Sequence, residues 1–351
     1  MTMANFLVPN GTAVNDEANV DPDVSLVGAV AVDRGPIGDV ATGDAGAPVV
    51  ATNYGDGSIS LLNVHSLAVD CDIAVDGEPF AVVISDDRAY VSTSSAGHDA
   101  VSVVDTNTKT VIATYPLAFS VTALAISPDG KRVYAGRTGR DHVDVAVIDT
   151  TAERVGTIDI TTGAGIGIDA VAVDPTGKRL YVGTTDDRDS RLVVVDTETA
   201  RVDRAVRIGS PIRDLAFSDG TVYVLTSDRV RGGAVWVVDI SVGAITDIVE
   251  LGGAPTQMTL SPDGTHAYIV DYDHVAVLCT LSLEVVNSIT VDARPSCVAV
   301  SSEGDRLAIA DYAGGVTVFT IASTMPMLYS QFIATSPLAL RELHETEPAS
   351  A

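Results

Sequence analysis

The sequence has little of what most binding and catalytic motifs are built from. Its 351 residues include three cysteines, Cys71, Cys279 and Cys297, and no two lie close together. There is no CxxC and no Cys/His ligand spacing, so neither a zinc module nor a disulfide framework is written here. Buried, reduced thiols in a cytoplasmic protein are the expectation. Aromatic residues make up 5% of the chain, and Trp236 stands alone. Positive charge is scarce, with 21 Lys and Arg against 47 Asp and Glu and a formal net charge of -26. Such a surface repels phosphate backbones and anionic lipid, which excludes ordinary nucleic-acid binding and membrane-surface binding. No run of 18 apolar residues occurs, so no membrane-spanning helix and no membrane insertion are expected. The start, "MTMANFLVPNGTAVNDEANVDPD", lacks the basic head and apolar centre of a secretory signal. A cytoplasmic monomer is the expectation. Scarce lysine, with abundant Arg, Ala, Val and Asp, points by composition alone to a GC-rich bacterial source.

What the sequence does have is repetition. "ISPDGKRVYAGR" from Ile126 returns as "VDPTGKRLYVGT" from Val173, "LSPDGTHAYIVD" from Leu260 and "VSSEGDRLAIAD" from Val300. A second phrase, an apolar run closed by a small polar residue, ends at Asn63, Asp105, Asp149, Asp196, Asp239, Cys279 and Thr320. The steps between these seven anchors are 42, 44, 47, 43, 40 and 41 residues. Four-stranded propeller blades repeat at about 40–45 residues.

One copy displays the unit. "TALAIS" reads as a strand, "PDG" as a turn and "KRVYAG" as the returning strand. Proline presets φ, aspartate bonds its own backbone and glycine accepts positive φ. A polar loop, a third strand, the "DT" turn and a fourth strand follow. The first strands are apolar with little alternation, which means burial on both faces. Small residues at Ala41, Ala125, Ala172, Ala216 and Ala299 sit beside larger ones, as suits sheets crowding an axis. A parallel β-helix repeats at shorter intervals, and stacked sandwiches would not give seven even copies.

The predicted fold is therefore all-β, a seven-bladed β-propeller of four-stranded antiparallel blades. The early segment "DVSLVGAVAVDRG" (Asp23–Gly35) reads as a fourth strand without a blade, so the N-terminal strand is expected to close the ring. "MLYSQFIA" (Met327–Ala334) is a competitor for that place. The expected domains are a flexible segment 1–22, a propeller 23–324 and a partly disordered C-terminal extension 325–351.

The phrases "SPDGKRVYAG", "NYGDGSISLLN" and "VVDTNTKTVIAT" resemble the YVTN-repeat family of seven-bladed propellers, over about Asp23 to Ile321. The family's tyrosine is carried by Tyr90, Tyr134, Tyr181, Tyr223 and Tyr268, and replaced by Val50 and Ala308 in the first and last blades. The resemblance implies the fold, and little about chemistry. Members are similar to surface-layer propellers, to periplasmic proteins and, more distantly, to propeller lactonases.

The "PDG" and "DT" turns share one rim, whose regularity reads as structural. The loops joining second to third strands lie on the other rim and vary, as binding loops on rigid scaffolds do. Blades one, six and seven carry "NYGDG", "DYDH" and "DYAGG". These are expected to bring Tyr54, Tyr272 and Tyr312 together with Asp56, Asp271, Asp273, His274 and Asp311. Blades three, four and five carry Arg137, Arg140, Arg188, Arg229 and Arg231. The functional expectation is a non-enzymatic binding or scaffolding propeller. The arginine arc would hold an anionic ligand or a partner protein, with the tyrosines as an apolar wall. The competing reading pairs these arginines with Asp141, Asp186, Asp187 and Asp189 on a solvated rim.

At the channel mouth stand Asp39, Asp169, Arg213, Asp214, Gln257 and Cys297. Opposed Asp and Arg side chains allow acid/base work and equally a hydrated polar plug. A phosphogluconolactonase-like sugar-lactone hydrolase is the alternative, but no ordered base with an oxyanion donor can be named. The blades of His98, His142 and His274 are not all adjacent, and "DDRDS" and "DYDH" complete no calcium loop, so no metal is assigned. "GAGIGID" lies between strands rather than at a helix start. No Gly-x-Ser-x-Gly elbow or zinc-protease helix occurs, and one tryptophan cannot supply a quinone-cofactor propeller. No cofactor is implied.

Overall fold

The computed structural model describes residues 24–321 apart from 44–46, 64 and 119. Segments 1–22 and 325–351, and the competitor Met327–Ala334, lie outside the described residues. The described residues form 28 strands, β1 to β28, in seven antiparallel sheets of four. Their inner strands are β2 (Ile37–Thr42), β6 (Glu78–Ser85), β10 (Ser120–Ile126), β14 (Gly167–Val173), β18 (Ile212–Ser218), β22 (Gln257–Leu260) and β26 (Pro295–Val300). Each inner strand touches the next, and β26 touches β2, so the seven sheets close a ring. The last sheet joins both parts of the chain. β1 (Val24–Ala31) pairs with β28 (Gly315–Ile321), from Val24 opposite Ile321 to Ala31 opposite Gly315. The N-terminal strand closes the propeller.

The recurring phrases have physical causes. Asp105, Asp149, Asp196 and Asp239 each accept two backbone N–H groups from the turn that follows, and Asn63 does the same. A short side chain whose oxygen reaches N–H groups two and three residues on is what such a turn needs. The threonine after it faces elsewhere: Thr106, Thr150, Thr197 and Thr280 donate to carbonyls of the first hairpin turn in the same blade. "DT" thus makes one turn and ties it to another. The tyrosines fit the alanines. Ala125, Ala172 and Ala216 on inner strands stand opposite Tyr134, Tyr181 and Tyr223 on second strands.

The core is divided. Seven clusters of buried apolar side chains each combine residues of two adjacent blades. One joins Tyr134, Val143 and Val145 of blade three to Ile168, Leu180 and Val182 of blade four. Another joins Val30, Val316 and Val318 of blade seven to Ile37, Val40 and Val49 of blade one. Glycine at the end of "YAG" is part of this contact: a Cβ at Gly136 would stand 2.7 Å from Ile168 Cγ2, and one at Gly183 would stand 2.9 Å from Ile212 Cγ2. Interiors this dense leave no room for such additions.

Replacing Gly136 with Val should wedge blades three and four apart and cost about 1–3 kcal/mol. The urea midpoint measures it. Adding Ile168→Ala should give a double variant less destabilised than the sum of the singles, because the two changes share one space. Strict additivity would contradict the packing described.

Candidate functional site

The loops between second and third strands of blades three, four and five lie on one rim, and they carry the predicted arginines. Arg140, Arg188, Arg229 and Arg231 are exposed and make no ion pair with a described residue. Arg137 does not belong with them. It is 7% exposed and lies inside blade three, where its Nε donates to Asp144 Oδ1 at 2.6 Å and its guanidinium reaches the Thr157 hydroxyl at 3.2 Å. It stands directly opposite Asp144 in the antiparallel ladder, so the pair is fixed by register. A buried, doubly bonded guanidinium is spent on structure.

The acids of these loops are committed first to backbone, with a weaker pull from Arg188 on Asp186 and from Arg231 on Asp228. Asp186 Oδ1 accepts the backbone N–H groups of Arg188 and Asp189. Asp228 Oδ1 does the same for Val230 and Arg231. These bonds hold both carboxyls below the usual carboxylate range. Asp189 takes Arg207 at 2.9 Å and Arg191 at 3.5 Å, and Asp141 takes the His142 ring at 3.2 Å. Arg188 therefore extends into solvent beside acids already occupied with backbone and other cations.

The tyrosine sector differs from the expected apolar wall. Tyr54 packs edge-on against Phe80 of blade two, centroids 5.5 Å apart. Tyr272 and Tyr312 share a different partner, Arg294, whose guanidinium carbon lies 4.5 Å and 5.0 Å from their ring centroids. Among the described residues no ring contact joins Tyr54 to the other two. Arg294 was the residue missed. It sits in the loop before an inner strand, which belongs to the same rim, and that position was the available signal. Asp271 and Asp311 are buried and bond loop N–H groups, Asp271 those of Ala254 and Tyr272, Asp311 those of Ala313 and Gly315. His274 is bonded to Asp273 at 2.9 Å. Asp56 accepts the Ser58 hydroxyl.

The axial residues do assemble, as connectors between blades. Asp214 Oδ2 accepts the Met258 N–H of blade six at 2.8 Å. Gln257 Oε1 accepts the Val298 N–H of blade seven at 2.8 Å, and its Nε2 donates to Asp39 Oδ1 in blade one at 2.9 Å. Asp39 Oδ2 accepts the Val82 N–H of blade two at 2.9 Å. The chain of bonds runs from blade five to blade two through buried Cys297's neighbourhood. Opposite it, at the equivalent inner-strand positions, stand Ala81, Ala123 and Ala170. Burial pushes Asp39 up to about 6 and Asp214 up to about 7, the latter helped by the charge of Asp39. Asp169 is also raised by burial, and Thr185 and exposed Arg213 oppose this. One Asp169 oxygen has no hydrogen-bond partner. Among the described residues no group of three or more His, Cys, Asp or Glu side chains is placed to hold a metal ion. No helix among them is long and apolar enough to cross a membrane.

The raised acids fix a sign. Between the unfolded carboxyl pKa and 6–7, the folded state holds protons that the unfolded chain has lost. Stability should therefore fall as pH rises from about 4 to 7, by at most about 1.4 kcal/mol per pH unit for each carboxyl. Urea unfolding at pH 5 and pH 8 should show the higher midpoint at pH 5. Asp214→Asn should shrink the difference, and an unchanged difference would contradict the assignment.

No protein-family model matches the chain. Two bacterial relatives do. A seven-bladed β-propeller protein of Mycolicibacterium smegmatis is 54% identical over 316 residues, 90% of this chain and 86% of that protein. One of Mycobacterium tuberculosis is 36% identical over 338 residues, 86% of each. Among solved structures, the hydrazine synthase of Kuenenia stuttgartiensis superimposes with a TM-score of 0.73, covering 84% of this chain and 97% of that one. At 21% identity this likeness is one of fold. With the ring, the closing strand and these relatives in agreement, the chain belongs to the family of seven-bladed β-propeller proteins.

Proposed function

We propose that this protein is a non-enzymatic binding or scaffolding propeller that holds an anionic ligand, or an acidic segment of a partner protein, on the rim formed by blades three to five. The observation that carries this reading is the state of the loop charges. Four exposed guanidiniums stand over acids already engaged by backbone N–H groups or by other cations. Guanidinium forks suit carboxylate and phosphate oxygens. Their concentration on three successive blades, in a chain of net charge -26, supports selection of an anion at one place. Arg294 between Tyr272 and Tyr312 extends cationic recognition beyond that arc.

Within this reading the protein works as a cytoplasmic monomer. The repeat is read as YVTN-type on the strength of Tyr90, Tyr134, Tyr181, Tyr223 and Tyr268, all buried on second strands. Lactone hydrolysis gains no support from the axis, where Asp39, Asp214 and Gln257 bond backbone N–H groups across blade boundaries.

Immobilised poly-glutamate is a direct probe. The protein should be retained at low salt and released steeply as salt rises. Replacing Arg140, Arg188 and Arg231 with Gln together should abolish retention while changing the thermal midpoint little, since all three are exposed and none is in an ion pair with a described residue. Retention unchanged in that variant would remove the proposal.

A further inference from the structure

The last blade ends outward on β1, which pairs with β28 on one side and with no described strand on the other. A sheet edge offers unpaired N–H and C=O groups, and proteins protect it with charge, proline or a bulge. Bulges do not distinguish this edge, because the outer ladder of every blade has one. Charge and proline do. Among the other outer strands, β5 (Ala68–Ala74) carries Asp72, β9 (Thr110–Leu117) Pro116 and β13 (Arg154–Thr162) Asp159. β17 (Arg201–Arg207) carries Arg204, β21 (Ala244–Gly252) Asp247 and β25 (Glu284–Ile289) Glu284. β1, VSLVGAVA, carries neither charge nor proline.

This edge also bares apolar side chains. Leu26 is 65% exposed, the highest value for a large apolar side chain on any described strand, and Val27 beside it is exposed as well. Val285 and Val286, on the outer strand of neighbouring blade six, are exposed too. Unpaired backbone beside uncharged, bare side chains is a surface that calls for cover.

The chain itself supplies a cover. β28 ends at Ile321, directly opposite Val24, so residues 322–351 start at one end of β1. Among them MLYSQFIA, 327–334, matches the eight residues of β1 and carries no charge. Its Tyr329, Phe332 and Ile333 are residue types that favour strands. Pro326 and Pro337 bound it, and proline marks where pairing stops. To reach the far edge of β1, residues 322–326 must cross two strand spacings, about 10 Å. Five residues reach about 17 Å. Residues 1–22, which lead into β1, are less suited, being broken by Pro9, Asp16, Glu17 and Asp21.

We propose that residues 327–334 add to the free edge of β1 as a fifth strand of the last blade, running parallel to β1 and covering Leu26. The occupant is this chain's own segment and not a second copy, whose net charge of -26 opposes close approach. Closure of the ring then engages both ends of the sequence: β1 closes it, and the later segment covers the closing strand.

Hydrogen exchange of the full chain, read by mass spectrometry, tests this. Residues 327–334 should exchange about ten-fold or more slowly than in a free peptide of residues 325–338. Successive N–H groups of a strand point to opposite sides, so one of Ser330→Pro and Gln331→Pro removes a donor facing β1 whatever the register. That variant should speed exchange of 24–31 and 327–334 about ten-fold, while leaving the outer strands of blades two to five unchanged. Leu26→Lys should speed exchange of 327–334 likewise. Exchange of 327–334 at the free-peptide rate overturns the proposal, as does slow exchange indifferent to both proline substitutions. Protection of 24–31 that grows with protein concentration, with a dimer in sedimentation, would assign the edge to a second copy and overturn it too.

Discussion

No blade of this protein has a core of its own. Each sheet is oily on both faces, and each buried cluster belongs to a pair of neighbours. A four-stranded sheet alone cannot bury two faces, so stability exists only in the cycle. The constraint reaches down to single residues. Gly136 and Gly183 are bare so that Ile168 and Ile212 of the next blade come close. Thr122 donates to the Ile168 carbonyl, and Thr138 and Thr185 accept the N–H groups of Ile168 and Ile212, all across blade boundaries. The axial bonds of Asp214, Gln257 and Asp39 continue the same pattern with polar atoms.

This arrangement alters what net charge means. Asp105, Asp149, Asp196 and Asp239 are turn parts, held low in pKa by the N–H groups of their turns and, at Asp239, first by the Ser241 hydroxyl. A carboxylate capping a turn still carries charge, but it points at its own backbone. Exposed arginines in variable loops point outward. An acidic protein can thus present cationic spots at its loop tips, and long-range repulsion and short-range recognition then act on different partners.

The fold was legible because its causes are local and repeated. The period is shared by all seven blades, and "PDG", "DT" and an alanine opposite a tyrosine recur in enough of them to show the unit. Arg137 was misplaced because it follows the strand residue Gly136 immediately. It belongs to the ladder, opposite Asp144, and only strand register shows that. Arg294 was missed because attention fell on loops between second and third strands, while the loops entering inner strands reach the same rim. Asp271 and Asp311 looked like rim acids, yet Asp311 folds back onto its own loop and Asp271 bonds both its own loop and the one entering the inner strand of the same blade. Side-chain direction at a loop tip depends on hydrogen-bond closure, which composition does not encode.

Repetition also supplies a reference that a non-repeating fold lacks. When a position does the same structural work in several blades, a copy that departs from it has a reason outside the shared fold. The alanines at Ala81, Ala123 and Ala170 give way to Asp214, Gln257, Cys297 and Asp39 on four successive blades. The departure coincides with an unbroken run of bonds between sheets, so its reason is structural. Tyr134 keeps the backbone pairing of Tyr181 and Tyr223, and its buried hydroxyl is met by Arg132 of its own blade and Thr197 of the next, so what is particular to this copy again serves the seam between two sheets.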